Sequence, residues 1–305
     1  MNNEIHVFCA INDLYAMPLS VMLRSMRQSL SVTTPIVAHI AFSRISGTAI
    51  ERIEETVEGS QIQINWIQVK DLPLASAKLW GHVSRESYFR LFIGELLPVY
   101  IDKVVYLDAD LVVLSCISQL WDQKFDGATI LAARDISEFS GLVSSPMGVK
   151  NYEKLGIPAE SVYFNAGVMV INLRKWRHFD IGKRLLAYMG EYFADINYWD
   201  QDVLNAVLWN SWRELDYRWN VAAGAVCDYD VLRAPPFDRC EFTRIVGEAF
   251  IYHFSTYRKP WHEAYCLTHQ DLFIEFFLKT PWVKDPQYVL KHKFFHSPLQ
   301  VIRGN

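Results

Sequence analysis

In the stretch Lys103-Val-Val-Tyr-Leu-Asp-Ala-Asp-Leu-Val-Val-Leu114, apolar residues run up to Asp108 and resume at Leu111. A short run this rich in Val and Leu reads as a fully buried strand, which needs a sheet covered on both faces. Ionised carboxylates do not belong there, because burying one costs several kcal/mol, roughly, unless a partner compensates. Asp108 and Asp110 are two apart, so an extended backbone puts both on one face. Two like charges that close repel, and one takes up a proton unless a cation lies between them. A hard divalent ion with oxygen ligands removes the conflict, and Mg²⁺ or Mn²⁺ also draws phosphate oxygens into its shell. The plainer alternative is that Asp108 ends the strand and Asp110 caps a turn. The apolar flanks on both sides favour the metal site.

The chain before this stretch alternates strand and helix signals. Ile5 to Ala10 reads as a strand, with Asn12 and Asp13 as turn or cap residues. Leu19, Met22, Leu23, Met26 and Leu30 recur at helical spacing, and Ile36 to Phe42 is a second strand. Ile50, Ile53 and Val57 mark a helix stopped by Gly59, and Gln61 to Val69 alternates as a third strand. This order predicts an α/β fold with a mostly parallel sheet and helices on its faces. Ligands of such sheets bind at the carboxyl ends of the strands, so the Cys9–Asp13 loop and Asp108 belong to one side.

Further along, Ser84 is expected to cap a helix carrying Tyr88, Leu91, Phe92 and Leu96, with Arg90 on it as an ordinary exposed charge. Ala128 to Ala133 is a strand leading to Arg134 and Asp135, and residues 136–160 read as a long loop. In Phe164-Asn-Ala-Gly-Val-Met-Val-Ile-Asn-Leu173 an apolar strand follows Asn165, and Ala166-Gly167 permits close backbone approach. Asp180 is expected to cap a helix from Ile181 to about Ala194, and Trp199-Asp-Gln-Asp opens another. His253 follows an apolar run, as a strand-end ligand would, although a satisfied core histidine fits as well. Lys259-Pro260-Trp261 sets a cation beside a rigid turn, suited to phosphate.

Composition narrows the classes. Of 305 residues, 51% are apolar, enough for a sizeable core and against disorder. The net charge of −4 gives no global sign of nucleic-acid binding. No apolar run approaches the ~18 residues of a membrane span, and no basic-then-apolar leader is visible, so a cytoplasmic location is expected. The five scattered cysteines suit a reducing compartment and form no zinc or disulfide pattern. Lys291, Lys293, Phe294, Phe295 and Arg303 near the end suit peripheral contact with an anionic membrane surface, though a plain terminal segment fits equally.

YLDADLVV, FNAGVMVINL, WDQDVLN and HFSTYRKPW, in this order behind the opening strand, resemble glycosyltransferase family 8 over roughly residues 5 to 265. That family comprises retaining galactosyl- and glucosyltransferases that extend lipopolysaccharide and related glycans. The resemblance implies a single Rossmann-like nucleotide-diphospho-sugar transferase domain (GT-A) over 1–270, with 271–305 as a C-terminal extension. It implies a UDP-hexose donor, a glycan or lipid-linked glycan acceptor, and Mn²⁺, with Mg²⁺ as the alternative. Asp108, Asp110 and His253 match the metal ligands, with Ala109 between the acids. Ala10 and Asn12 match the uridine-binding segment, and Arg90 and Lys259 match cations that hold the donor. Asn165 and Asp135 match positions around the donor sugar. Asp200 and Gln201 match the catalytic region, Asp200 placing the sugar and Gln201 nearest the anomeric carbon.

Two positions depart from the family pattern: Asn12 stands where an Asp is common, and Thr256 where a Gly is common. The resemblance implies same-face attack rather than a covalent intermediate, because an amide at Gln201 is a poor nucleophile. Leu79-Trp-Gly-His-Val83 and residues 136–160 are the expected acceptor contacts. Two other readings use the same residues. A haloacid-dehalogenase-type phosphatase also carries an Asp-x-Asp, but at its first strand. A non-catalytic glycan- or sugar-nucleotide-binding protein would share the fold and would not need an intact ligand set.

Overall fold

The computed structural model describes residues 4–31, 34–70, 72, 84–136, 141–222, 229–232, 236–262 and 268–285. The first half is the alternation read from the sequence: β1 (Ile5–Ile11), α1 (Ala16–Gln28), β2 (Ile36–Phe42), α2 (Gly47–Val57) and β3 (Ile62–Gln68). Gly59 closes α2 with φ +67, a conformation that a side chain disfavours. After α3 (Ile93–Leu96) come β4 (Lys103–Leu107), β5 (Leu111–Val113), α4 (Ile117–Trp121) and β6 (Ile130–Arg134). The second half holds β7 (Phe164–Asn172), α5 (Leu173–His178), α6 (Ile181–Glu191), α7 (Trp199–Leu208) and β8 (Trp212–Glu214). It ends with β9 (Val221–Ala222), α8 (Arg239–Gly247), β10 (Ile251–His253) and α9 (Gln270–Phe277).

Among the described residues, seven strands form one sheet in the order β3-β2-β1-β4-β7-β6-β8. Every neighbouring pair is parallel except those made by β7, which runs against both β4 and β6. The chain leaves β1 towards β2 and β3, then returns to β1's other edge as β4. The carboxyl ends of β1 and β4 therefore flank a crevice at a topological switch point.

Each strand sends alternate side chains into two separate cores. From β1, Val7 and Cys9 face the core under α1, while Phe8 faces the core under α5, α6 and α7. From β4, Val105 and Leu107 take the first face, Val104 and Tyr106 the second. Phe273, Phe276 and Phe277 of α9 and Trp282 beyond it are buried in the first core. Trp282 Nε1 donates to the buried Ser20 hydroxyl at 2.7 Å.

Several expectations are corrected. The Lys103–Leu114 run is two strands in two sheets: β4 sits in the large sheet, and β5 joins a small sheet ordered β5-β10-β9. The chain bends at Asp108–Asp110, so the two carboxylates meet through a break in the strand rather than through its pleat. Residues Arg85–Phe92 wind as a 3-10 helix rather than an α-helix, and Ser84 makes no capping bond. Asp180 takes a left-handed conformation without capping α6, which ends at Glu191; its carboxylate pairs with Lys183 instead. Asn165 lies within β7 rather than before it.

β7 also carries an irregularity that its continuous apolar run conceals. Met169 pairs with Ala132, but Phe164 pairs with Arg134, so β7 spends three more residues than β6 between these pairs. The extra residues are Asn165, Ala166 and Gly167, and the facing parity of the strand flips across them. Such a bulge re-aims side chains at the end of a strand. The segment 79–83 and the tail residues Lys291, Lys293, Phe294, Phe295 and Arg303 lie outside the described residues.

Candidate active site

The small sheet brings the site's parts together. β10 pairs antiparallel with β5, placing His253 opposite Leu111, one residue past Asp110. It pairs parallel with β9, placing His253 opposite Ala222 and close to Asn220. The outer edge of β5 is closed by α1: Ser25 Oγ accepts from Val113 N at 2.9 Å, and Ser29 Oγ donates to Val113 O at 2.9 Å.

Each acid uses one oxygen on a fixed cation and turns the other inward. Asp108 Oδ1 accepts from Arg90 Nη2 at 2.8 Å and from Tyr106 OH at 2.6 Å. Asp110 Oδ2 accepts from Lys259 Nζ at 2.5 Å, and the same ammonium donates to Phe254 O at 2.7 Å. The remaining oxygens, Asp108 Oδ2 and Asp110 Oδ1, lie 3.7 and 3.5 Å from His253 Nε2. His253 Nδ1 donates to Asn220 Oδ1 at 2.9 Å, which leaves a lone pair on Nε2 in the neutral ring. Three ligand atoms thus converge, all within 4.8 Å of one another. Adjacent ligands of a six-coordinate ion at ~2.1 Å are about 3 Å apart, so small rotations of these side chains would close on one. Two carboxylates and an imidazole suit Mn²⁺ or Mg²⁺. The donor set fits a divalent cation.

Charge around the trio is buried and paired. Burial alone would raise the Asp110 carboxyl, but the Lys259 ammonium holds it well below the usual carboxylate range. Arg90 is only 6% exposed. Burial works against its charge, and Asp108 and Asp200 more than restore it. Arg90 is the hub: Nη1 donates to Ala166 O at 2.7 Å, Nε donates to Ser87 O at 3.0 Å, and Nε also lies 2.6 Å from Asp200 Oδ2. Asp200 is itself pushed up to about 6 by burial, with Arg90 opposing the shift. Below the trio, burial pushes up the Cys9 thiol and then the Tyr15 hydroxyl, and both are raised further by Asp108 and Asp110.

A chain of amides lines the neighbouring floor. Gln201 Oε1 accepts from Ala166 N at 2.9 Å, and its Nε2 donates to Asp135 Oδ2 at 2.8 Å. Asn165 Nδ2 donates to the same Asp135 oxygen at 3.2 Å. Asp108, Asp110, His253, Arg90, Lys259, Asp200, Gln201, Asn165 and Asp135 are therefore one connected cluster. Ala109 is buried between the acids.

Ala10 lies near the end of β1, and Asn12 just beyond it at the crevice, where its Oδ1 accepts from Leu14 N at 3.0 Å. Asn12 Nδ2 donates to Glu86 Oε2 at 3.3 Å, and Glu86 also accepts from Ser43 Oγ. The carboxylate absent at position 12 thus stands beside it at Glu86, which is 5% exposed. Arg90, expected as an exposed charge, is instead a buried one.

The sequence reading missed Asn220, Tyr106 and Glu86. Tyr106 carried a usable signal, two residues before Asp108 on a strand. Asn220 and Glu86 carried none, since both reach the site through distant chain segments.

The family model for glycosyl transferase family 8 matches residues 6–264. General stress protein A of Bacillus subtilis is 25% identical over 285 residues, covering 91% of this chain and 94% of that protein. Lipopolysaccharide 1,2-glucosyltransferase of Escherichia coli is 27% identical over 217 residues, covering 70% of this chain and 60% of that protein. Among solved structures, the galactosyltransferase LgtC in complex with donor and acceptor sugar analogs superposes with a TM-score of 0.78 at 27% identity, covering 94% of this chain and all of that one.

Proposed function

The chain belongs to glycosyl transferase family 8, and from that premise we propose that it moves a hexose, glucose or galactose, from a UDP-sugar to a glycan acceptor with retention at the anomeric carbon. The carrying observation is the facing set Asp108 Oδ2, Asp110 Oδ1 and His253 Nε2, each held from behind by a cation or an amide. The relatives named for glucosyl and galactosyl transfer support the choice of hexose and of a lipopolysaccharide-type acceptor. No helix among the described residues is long and apolar enough to cross a membrane. We place the reaction in the cytoplasm.

Asp108, Asp110 and His253 would hold a Mn²⁺ or Mg²⁺ ion, which would supply positive charge for a departing diphosphate. The chain's own residues do the rest. Lys259, fixed on Asp110 and Phe254 O, adds a preorganised cation beside the same charge, and Arg90 holds Asp108 and Asp200 in place. Ala10 and Asn12 receive the uridine. Asp135 and Asn165 line the sugar, and Asp200 orients it. Gln201 is pinned at both ends of its amide, so it shapes the floor under the anomeric carbon and is no nucleophile. The acceptor hydroxyl attacks from the leaving group's face, and the departing phosphate oxygen takes its proton.

Incubation with UDP-glucose and UDP-galactose, with Mn²⁺ and with chelator, tests the reading by UDP release. Metal-dependent release is expected, lost in Asp108→Ala, Asp110→Ala and His253→Ala. Gln201→Ala is expected to lower turnover while UDP binding stays. No release from either sugar, or release indifferent to chelator, overturns the assignment.

A further inference from the structure

The orientation of the His253 ring is decided three groups away, at a backbone N–H. Gly167 N–H donates to Asn165 Oδ1 at 2.9 Å. A backbone N–H can only donate, so that atom of Asn165 must be the carbonyl oxygen. Asn220 contacts the same oxygen at 2.9 Å and must present its NH₂ group there. Its other end, the carbonyl oxygen, therefore faces His253 Nδ1 at 2.9 Å, and Nδ1 must carry the proton. The amides have no freedom to flip without leaving two donors or two acceptors face to face. Asn220 is 7% exposed and Asn165 8%, so water is poorly placed to repair such a mismatch.

We propose that Asn220 is a positioning residue: it transmits the fixed polarity of the Gly167 N–H to His253, holding the ring as its Nδ1–H tautomer so that the Nε2 lone pair points between Asp108 and Asp110. Without an acceptor at Nδ1, the neutral ring would place its proton on Nε2. That hydrogen would face the two carboxylate oxygens at 3.5 and 3.7 Å and occupy the position a cation needs. A ligating histidine is commonly oriented by a partner on its other nitrogen. Here the partner is an amide whose own direction is set by a backbone bulge. The Gly167 N–H that starts this chain lies in the Asn165-Ala166-Gly167 insertion of β7. The proposal rests on the metal site of the preceding reading.

Two measurements separate the proposal from that reading. The first is the tautomer of His253 without metal, from long-range nitrogen–proton spectra, with the resonance assigned by its loss in His253→Gln. The second is binding of Mn²⁺ in the presence of UDP, read by electron paramagnetic resonance of the free ion. The wild-type ring is expected as Nδ1–H. Asn220→Leu removes the acceptor; it is expected to shift the ring to Nε2–H and to weaken Mn²⁺ about 10- to 100-fold. Asn220→Asp keeps an acceptor facing Nδ1 while setting its second oxygen against Asn165 Oδ1; it is expected to keep the Nδ1–H form and to bind Mn²⁺ more tightly than Asn220→Leu. An Asn220→Leu protein with an unchanged tautomer and unchanged Mn²⁺ affinity overturns the proposal. So does an Nε2–H ring in Asn220→Asp, the variant that tests the idea if the leucine protein does not fold. A wild-type protein that takes up no Mn²⁺ with UDP rejects the preceding reading instead, and the tautomer contrast still decides the role of Asn220.

Discussion

A side chain at position 167 has nowhere to go. A Cβ there would sit 2.3 Å from His253 Cε1 and 2.8 Å from Asp108 Oδ2, both far inside contact distance. Gly167 is not in a left-handed conformation; its constraint is the close passage of β7 beneath the trio. Gly167→Ala must push His253 or Asp108 aside, and displacements near 1 Å at a site commonly cost about 10²-fold in rate. We expect metal-dependent UDP release to fall by at least that factor, with far-ultraviolet circular dichroism unchanged; wild-type turnover in this variant would refute the geometry. At this scale the sequence was informative where chemistry and position coincide. Asp108 and Asp110 stood out because ionisable groups interrupted an apolar run. Arg90 did not, because a charge on an amphipathic helix looks alike whether it faces solvent or, as here, two buried acids.

Between elements, a single guanidinium ties the turn before β4 to α5. Arg177 Nε donates to Gly94 O, Nη1 to Val99 O and Ile101 O, and Nη2 to Leu97 O and Pro98 O, at 2.8 to 3.2 Å. Pro98, Val99 and Tyr100 are all exposed, so apolar burial contributes little to holding this turn. Removing the clamp in Arg177→Met is expected to lower stability by about 2 kcal/mol, since hydrogen bonds to charged groups exceed neutral ones, although the exposed Pro98 and Val99 carbonyls can turn to water. That corresponds to a drop of about 3 °C in Tm; an unchanged melting curve would show that the turn is held by other means. Strand and helix identities in the first half were legible because periodicity reports burial. The division of β4 from β5 was not, because both halves are buried and apolar, and only their pairing partners differ. The bulge in β7 was hidden for the same reason.

At the scale of the whole molecule, buried titratable groups give the fold opposing responses to pH. His39 is 3% exposed between β1 and β3, with His6 Nδ1 3.1 Å from its Nε2 and Asn65 Nδ2 donating to its Nδ1 at 2.9 Å. Burial, then the nearby His6, lowers it to about 4. The folded state thus favours the neutral ring. The stability this ring contributes is complete above pH 6.5 and declines as pH falls towards 4, by about 2 kcal/mol at pH 5. Asp200 and Asp202 act the other way: burial raises each to about 6, so acidification from 6 towards 4 relieves their cost. The His39 share is isolated by comparison with His39→Gln. Tm is expected to fall further between pH 7 and pH 5 for wild type than for the variant, and equal changes would contradict the depressed titration.

The alternation of strands and helices in the first half, the acids in an apolar ribbon, and the four motifs behind the family assignment were all determined along the chain. They are set by local burial and by residue type, which any contiguous segment displays. The return of β4 to the free edge of β1, the reversal of β7, and the meeting of Asn220 and His253 were decided only in three dimensions. These depend on which backbone edges pair and on which amide faces which donor. Such choices are made between residues far apart in sequence, where no periodicity records them.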